Sequence, residues 1–210
     1  MKIKPSLGAA LLLFSLILSS DYNFAAVYIF CATIHEAGHL IAAKLLDIKI
    51  RELTLDIAGA RIVPSGEIMS YKKEFLLCAA GPISSLLLSF ISLITYLLRH
   101  KNLSLSPLLY ALEGTVSGLD GALALTFAFS LLQAAINLLP ISSFDGSRML
   151  GAALSFMLGD MVGHSFRRVI TFTFTLILWM ASVYILLRVG QGLSLFSFSL
   201  CMFLKIFEDK

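Results

Sequence analysis

Two histidines and a glutamate are grouped in His35-Glu36-Ala37-Gly38-His39, within an otherwise apolar stretch of the chain. On a helix, the four-residue spacing places His35 and His39 on one face, where both imidazoles can reach one zinc ion. Glu36 would then point toward water at the open coordination position. Because ionisable side chains are costly to bury in lipid, their presence here indicates a functional site. The motif predicts a hydrolytic metal centre; the alternative is a hydrogen-bonded polar cluster inside a helix bundle.

A catalytic zinc usually takes three protein ligands and leaves a fourth position for water, so a third ligand must come from elsewhere. The candidates are the acidic or histidine side chains Asp145, Asp120, Glu113, Asp160, His100 and His164. Asp145 has the most informative surroundings, because Pro140 breaks the preceding helix and Gly146 permits a tight turn. Such a turn could bring the carboxylate back toward the metal. The alternative for Asp145 alone is an ordinary Asp-Gly surface turn.

The composition indicates an integral membrane protein that supports these residues on helices. Of 210 residues, 58% are apolar and 14% are charged, whereas charged residues make up about a quarter of a soluble domain. Apolar runs predict an all-α polytopic fold with about six transmembrane helices. These runs lie at 6–20, 24–48, 75–98, 121–141, 169–190 and 193–207. Since no repeat or long polar linker divides the chain, we expect one transmembrane domain over 1–210, with a catalytic core at about 24–150.

The basic residues predict the orientation in the membrane, because Lys and Arg accumulate in cytoplasmic loops. With six spans, twelve basic residues fall inside and only Arg99, Lys101 and Arg188 fall outside. We therefore expect a multi-pass protein of the cell membrane with both termini cytoplasmic. This loop bias accounts for the formal charge of +3, so no nucleic-acid partner is expected. A secretory signal at 6–20 is the alternative for the first run.

The segment 51–71, between the second and third runs, has a strand-like pattern. Leu53, Leu55 and Ile57 alternate with polar residues, and glycine and proline follow. This alternation predicts a short β-hairpin at the membrane edge. It serves either as a cytoplasmic connector with strand character or as an edge that pairs with an extended substrate.

In its motifs, the chain resembles the site-2 protease family of intramembrane zinc metalloproteases. That family combines H-E-x-x-H on one transmembrane helix with N-x-x-P-x-x-x-x-D-G on a later one. The chain matches both, at 35–39 and at Asn137-Leu-Leu-Pro140 through Asp145-Gly146. Ala80-Gly81-Pro82-Ile83 is similar to the family's A-G-P stretch. The resemblance covers about residues 24–150, and the joint match is more specific than either motif alone.

Some positions depart from the family's pattern. Leu138 stands where a second proline is frequent, and Phe144 stands where a leucine is frequent; neither position ligates metal. Ser84 and Ser85 occupy the place of an asparagine that is common after the Gly-Pro pair, which leaves a substrate contact there in doubt. The six-span layout is similar to the compact branch that includes the sporulation factor-processing protease, without its CBS domain.

The resemblance implies a Zn2+ ion held by His35, His39 and Asp145, with Glu36 as the catalytic general base. It implies that Asn137 stabilises the oxyanion or binds the substrate backbone; capping of the broken helix is the alternative role. The implied activity is that of a zinc metalloendopeptidase in regulated intramembrane proteolysis. Its partners would be a membrane-spanning, membrane-tethered regulatory protein as substrate, the lipid bilayer, and a regulatory membrane protein or a second copy of the chain.

Two other classes of function are compatible with the same residues. A polytopic metal or proton transporter would use buried histidines and carboxylates as a pathway, and would need further polar groups across both halves of the membrane. A catalytically inactive relative would only bind membrane peptides, although the intact Glu36 argues against it.

Overall fold

The computed structural model describes residues 2–5, 22–56, 59–64, 69–100, 118–141, 144–189 and 193–208. In chain order, its elements are β1 (Lys2–Pro5), α1 (Tyr22–Leu45), β2 (Ile50–Asp56), β3 (Gly59–Pro64), α2 (Tyr71–His100), α3 (Gly118–Asn137), α4 (Asp145–Leu158), α5 (Asp160–Val189) and α6 (Leu193–Glu208). The first predicted span, 6–20, lies outside the described residues.

Four of the described helices are long and apolar enough to cross a membrane. They are α1, at Phe24–Leu45, and the whole of α2, α3 and α5, and they coincide with four of the predicted apolar runs. The last run forms the shorter helix α6, with an apolar stretch at Leu195–Leu204. The described chain is therefore a helical, multi-pass membrane protein, while the total of six spans stays a prediction.

The fifth predicted span begins earlier in the structure than its apolar run does. The run begins at 169, but α5 begins at Asp160 and contains 30 residues. Gly159, with φ of 82°, separates α5 from α4. Polar side chains in the first turns of α5 shorten the apolar run without interrupting backbone hydrogen bonding, so hydropathy alone places the start of the helix too late.

The three strands form one sheet in the order β1-β2-β3. The central strand β2 pairs in parallel with β1 and antiparallel with β3. The segment expected to contain a hairpin thus includes an antiparallel strand pair, and its place at the membrane edge stays a prediction. Among the described residues, β3 is an edge strand of this sheet, and it contacts α1.

The chain divides into two compact units. The first contains Met1–Ile68 and Ala79–Ile136, and α2 and α3 pack there around the buried side chains of Tyr96 and Ala124. Its helix contacts use small polar side chains: the Ser89 hydroxyl donates to the Phe127 carbonyl at 3.1 Å. Large apolar side chains such as Leu98 are exposed, as expected for helices that face lipid and associate through small residues.

The second unit contains Met69–Cys78 and Asn137–Lys210. Its helices α4 and α5 approach closely at Gly163, where a Cβ atom would lie 2.6 Å from the Ser155 backbone. Helix α6 packs on α5 through a hydrogen bond of 2.6 Å between the Ser182 and Ser199 hydroxyls. Small residues therefore mediate the helix contacts of this unit as well.

Candidate metal centre

Helix α1 carries both motif histidines on one buried face. His35 is 2% exposed and His39 is 5% exposed. Their ring centroids lie 5.0 Å apart, as expected for side chains one turn apart on a helix. Two imidazoles buried side by side in a membrane helix are expensive unless they have partners or bind a ligand.

Gly81 on α2 faces the two rings. A Cβ atom at this position would overlap the Nε2 atoms of both His35 and His39. Both Nε2 atoms therefore face the same point on α2, and only glycine leaves room for them there. Gly38 has the reciprocal role on α1, since a Cβ atom there would lie 2.6 Å from the Ala80 carbonyl oxygen. The A-G-P stretch thus allows α2 to approach α1 at the level of the histidines.

Ser85 positions the His35 ring. Its hydroxyl oxygen lies 2.9 Å from Nδ1 of His35. A metal bound at Nε2 requires the neutral tautomer with the proton on Nδ1, and this N–H then donates to the Ser85 oxygen. The neighbouring Ser84 hydroxyl donates instead to the carbonyl oxygen of Gly81, at 2.7 Å. The sequence marked both serines only as a departure from the family's asparagine.

The later motif lies where α3 ends and α4 begins. Asn137 is the last residue of α3 and Asp145 is the first of α4. The end of α3 before Pro140 agrees with the predicted break. Gly146 is part of α4, and a Cβ atom there would overlap the Leu138 carbonyl. The expectation that Gly146 makes a tight turn is therefore wrong; this glycine permits close backbone approach.

His35, His39 and Asp145 form a candidate metal site. One ligand atom from each side chain lies within 4.8 Å of the others. Two imidazoles and a carboxylate are a donor set that catalytic zinc takes in soluble proteases. The hydrogen bond at Nδ1 of His35 adds the outer support that a zinc-binding histidine usually has. These residues therefore fit a zinc ion.

The other candidates for the third ligand are placed elsewhere. Asp120 forms an ion pair of 2.8 Å with Arg99 and lies 3.4 Å from Nε2 of His100. Asp160 accepts a hydrogen bond from the Tyr71 hydroxyl. His164 is exposed on α5. Glu113 lies outside the described residues. None of them belongs to a three-residue metal cluster in the part of the chain that the structure describes.

Comparisons with known proteins show the family to which the chain belongs. The model of peptidase family M50 matches residues 23–181. A curated zinc metalloprotease of Methanocaldococcus jannaschii is 29% identical over 123 residues, which are 58% of this chain and 31% of that protein. The chain thus spans about a third of the length of this relative.

Among solved structures, the site-2 protease from Methanocaldococcus jannaschii has a similar fold. The TM-score is 0.69 at 19% sequence identity, and the match covers 98% of this chain and 89% of that chain. The overall fold is therefore that of a site-2 protease.

Proposed function

Because the chain belongs to peptidase family M50, we propose that it is an intramembrane zinc metalloprotease of the site-2 type. Its reaction is hydrolysis of a peptide bond in or near the transmembrane segment of a membrane-tethered regulatory protein. The observation that carries this proposal is the grouping of His35, His39 and Asp145, whose ligand atoms lie within 4.8 Å of one another.

In this proposal, His35, His39 and Asp145 hold the zinc ion. When bound, zinc supplies Lewis-acid chemistry that activates water at neutral pH and polarises the scissile carbonyl. Glu36, one residue from a ligand on the same helix, takes the proton from the attacking water and returns it to the leaving amine. Asn137 is 8% exposed at the end of α3. Its side-chain N–H group donates a hydrogen bond to the developing oxyanion or to a carbonyl of the substrate backbone.

A substrate helix must unwind before its peptide bond can be attacked, because the bond is shielded and hydrogen-bonded within the helix. We propose that the sheet holds the unwound segment by β-strand addition. The outer edge of β3 suits this role, since β2 is already paired on both sides and β3 contacts α1, which carries the motif. Helix-destabilising residues in the substrate should then promote cleavage.

The proposal includes a single protease domain in the cell membrane with both termini in the cytoplasm. It includes the lipid bilayer and a membrane-spanning substrate as partners, with a regulatory membrane protein or a second copy of the chain as further partners, and no nucleic acid. The support is the excess of basic residues in the predicted inner loops, since such residues remain cytoplasmic.

A reconstituted cleavage assay tests the activity. The purified protein in liposomes is mixed with candidate membrane-tethered regulators, before and after zinc removal by a chelator. Cleavage should stop on removal and return with added zinc. Asp145→Asn should lower zinc occupancy as well as cleavage, while Asp160→Asn, at a carboxylate bonded to Tyr71, should retain zinc. Cleavage that persists after complete zinc removal would contradict the proposal.

Proline substitutions test the role of the sheet edge. Proline removes a backbone N–H donor, so it prevents strand addition where that N–H faces the substrate. Proline is introduced singly at each of residues 60–63 of β3. Every second variant should cleave more slowly, because its missing N–H faces the substrate, and should keep its zinc content unchanged. If every variant that retains zinc also retains full cleavage, β3 does not hold the substrate.

A transporter is supported less well. Transport needs polar groups that are available along a pathway. On α5, the hydroxyls of Thr173 and Thr175 donate to carbonyls of their own helix at 2.9 and 2.8 Å. These groups are therefore occupied within the helix rather than directed to a permeating ion.

A further inference from the structure

Helices α4 and α5 and the start of α2 line a polar cavity, which the proposed protease chemistry does not use. Its volume is about 120 Å³. The polar or small residues that line it include Glu74, Arg148, Gly151, Ser155, His164 and Arg167. All of them belong to the second compact unit.

Two donors in this lining have no hydrogen-bond partner among the described residues: the Ser155 hydroxyl and the Nε–H of Arg167. Ser155 is 4% exposed, so its hydroxyl is buried. A serine in a helix commonly donates to the carbonyl one turn back, as Ser165 does on α5 at 2.9 Å. Since buried polar groups are nearly always paired, these two donors point to a ligand with acceptor atoms.

The helix packing holds Arg167 at the cavity. A Cβ atom at Gly151 would lie 2.5 Å from Cδ of Arg167, so the arginine stem lies directly on α4. The close approach of Gly163 to the Ser155 backbone fixes the neighbouring turn. The Arg167 stem and the Ser155 backbone therefore lie in close contact with the facing helices beside the cavity.

The charge of the lining favours an anion. Arg148 and Arg167 oppose one carboxylate, Glu74, which lies 3.8 Å from Nε of Arg148. The lining thus carries one net positive charge with His164 neutral. Near the cavity, the same unit also contains Lys72, Lys73 and Arg168, which outnumber the carboxylates of Asp145 and Asp160. Asp160 accepts a hydrogen bond from Tyr71, which lines the cavity. A concave site with this balance concentrates anions.

We propose that this cavity binds a phosphate group, either the phosphodiester of an anionic membrane lipid or a soluble phosphate. A phosphate offers several acceptor oxygens to a guanidinium and a hydroxyl at once. On either side of the turn between α4 and α5, the apolar side chains of Phe156, Met157 and Met161 are 63%, 76% and 88% exposed. This surface could contact acyl chains, which favours the lipid source.

Native mass spectrometry and thermal unfolding of the full chain in neutral detergent test the proposal. The probes are phosphatidylglycerol, zwitterionic phosphatidylcholine and inorganic phosphate. The wild-type protein should bind phosphatidylglycerol at least about tenfold more tightly than phosphatidylcholine, and Arg167→Gln should lose about tenfold or more of this affinity. Stabilisation by inorganic phosphate alone, abolished by Arg167→Gln, would assign the site to a soluble phosphate.

Arg168→Gln is the matched control, because Arg168 is an exposed neighbour that does not line the cavity. It should retain wild-type affinity. Gly151→Ala keeps every charge but displaces the Arg167 stem, so it should also weaken lipid binding. This second variant tests the proposal even if Arg167→Gln does not fold. Equal losses of affinity in Arg167→Gln and Arg168→Gln would indicate diffuse electrostatic attraction and overturn the proposal. Unchanged binding in both Arg167→Gln and Gly151→Ala would also overturn it.

Discussion

The α1–α2 pair and the α4–α5 hairpin both place an ionisable side chain directly against a glycine. Gly81 faces His35 and His39, and Gly151 faces the stem of Arg167. The difference lies in the partners. Nδ1 of His35 meets Ser85 at 2.9 Å, whereas Nε of Arg167 has no partner among the described residues. In the first region the protein orients an imidazole ring, and in the second it leaves a cationic donor open to an anion.

This comparison shows how a membrane protein can keep polar groups between helices. Glycine brings the helices close enough to exclude lipid, and the chemistry of the remaining atoms then determines the ligand. Imidazole Nε2 atoms and a carboxylate accept a metal ion. Guanidinium and hydroxyl groups instead donate hydrogen bonds to an oxyanion.

The largest effect is expected from Gly81→Ala. The added methyl group would overlap both imidazole rings, so the rings must move away from their common position. We expect zinc affinity to fall by more than about a hundredfold. This exceeds the loss of about 10- to 100-fold that follows when a metal-binding histidine loses its hydrogen-bond partner. Titration calorimetry or competition with a zinc indicator measures this.

Ile83→Ala, at a position of α2 that is 53% exposed, is the control and should bind zinc normally. Wild-type zinc affinity in Gly81→Ala would show that the rings do not need the space at residue 81.

A smaller effect is expected from Ser85→Ala, which removes the partner of His35 Nδ1. Loss of such a partner typically lowers metal affinity by about 10- to 100-fold. Ser85→Thr retains a hydroxyl and should recover much of the affinity. Ser89→Ala is the matched control, because Ser89 is a buried serine one turn further along α2 that bonds to the Phe127 carbonyl. Equal zinc affinity in the alanine variants of Ser85 and Ser89 would remove the positioning role.

Effects on stability rather than on zinc affinity are expected in the α4–α5 hairpin, where two glycines have different neighbours. A Cβ atom at Gly163 meets the rigid Ser155 backbone, while one at Gly151 meets the flexible Arg167 stem. Gly163→Ala should therefore destabilise the protein by about 1–3 kcal/mol.

Gly151→Ala should change the free energy of unfolding by less than about 1 kcal/mol, because the gain in helix propensity offsets the displaced stem. Chemical unfolding in mixed micelles compares the two variants. A greater loss of stability in Gly151→Ala would show that the Arg167 stem is as rigid as backbone.

Local patterns predicted much of what carries the chemistry. The four-residue spacing of His35 and His39 is enough to place them on one helical face, and long apolar runs located α1, α2, α3 and α5. Proline chemistry placed the end of α3 before Pro140.

Contacts between distant residues could not be predicted in this way. Ser85 is 50 residues from His35, and no local pattern reveals which hydroxyl faces an imidazole. Gly81 was marked by family resemblance, but its role follows only from the approach of α2 to α1. Each residue of β1 pairs with a residue fifty positions further along the chain, and four residues alone carry little strand signal.

In the proposed mechanism, Glu36 acts as the proton-transferring base beside a zinc ion in the membrane. Replacement of Glu36 by glutamine keeps the size of the side chain and removes its basicity. Zinc content and cleavage of a membrane-tethered substrate should be measured together on Glu36→Gln and on the wild-type protein in liposomes. We expect Glu36→Gln to retain the wild-type zinc content and to cleave the substrate at least about a hundredfold more slowly. Wild-type cleavage by Glu36→Gln with zinc in place would contradict it.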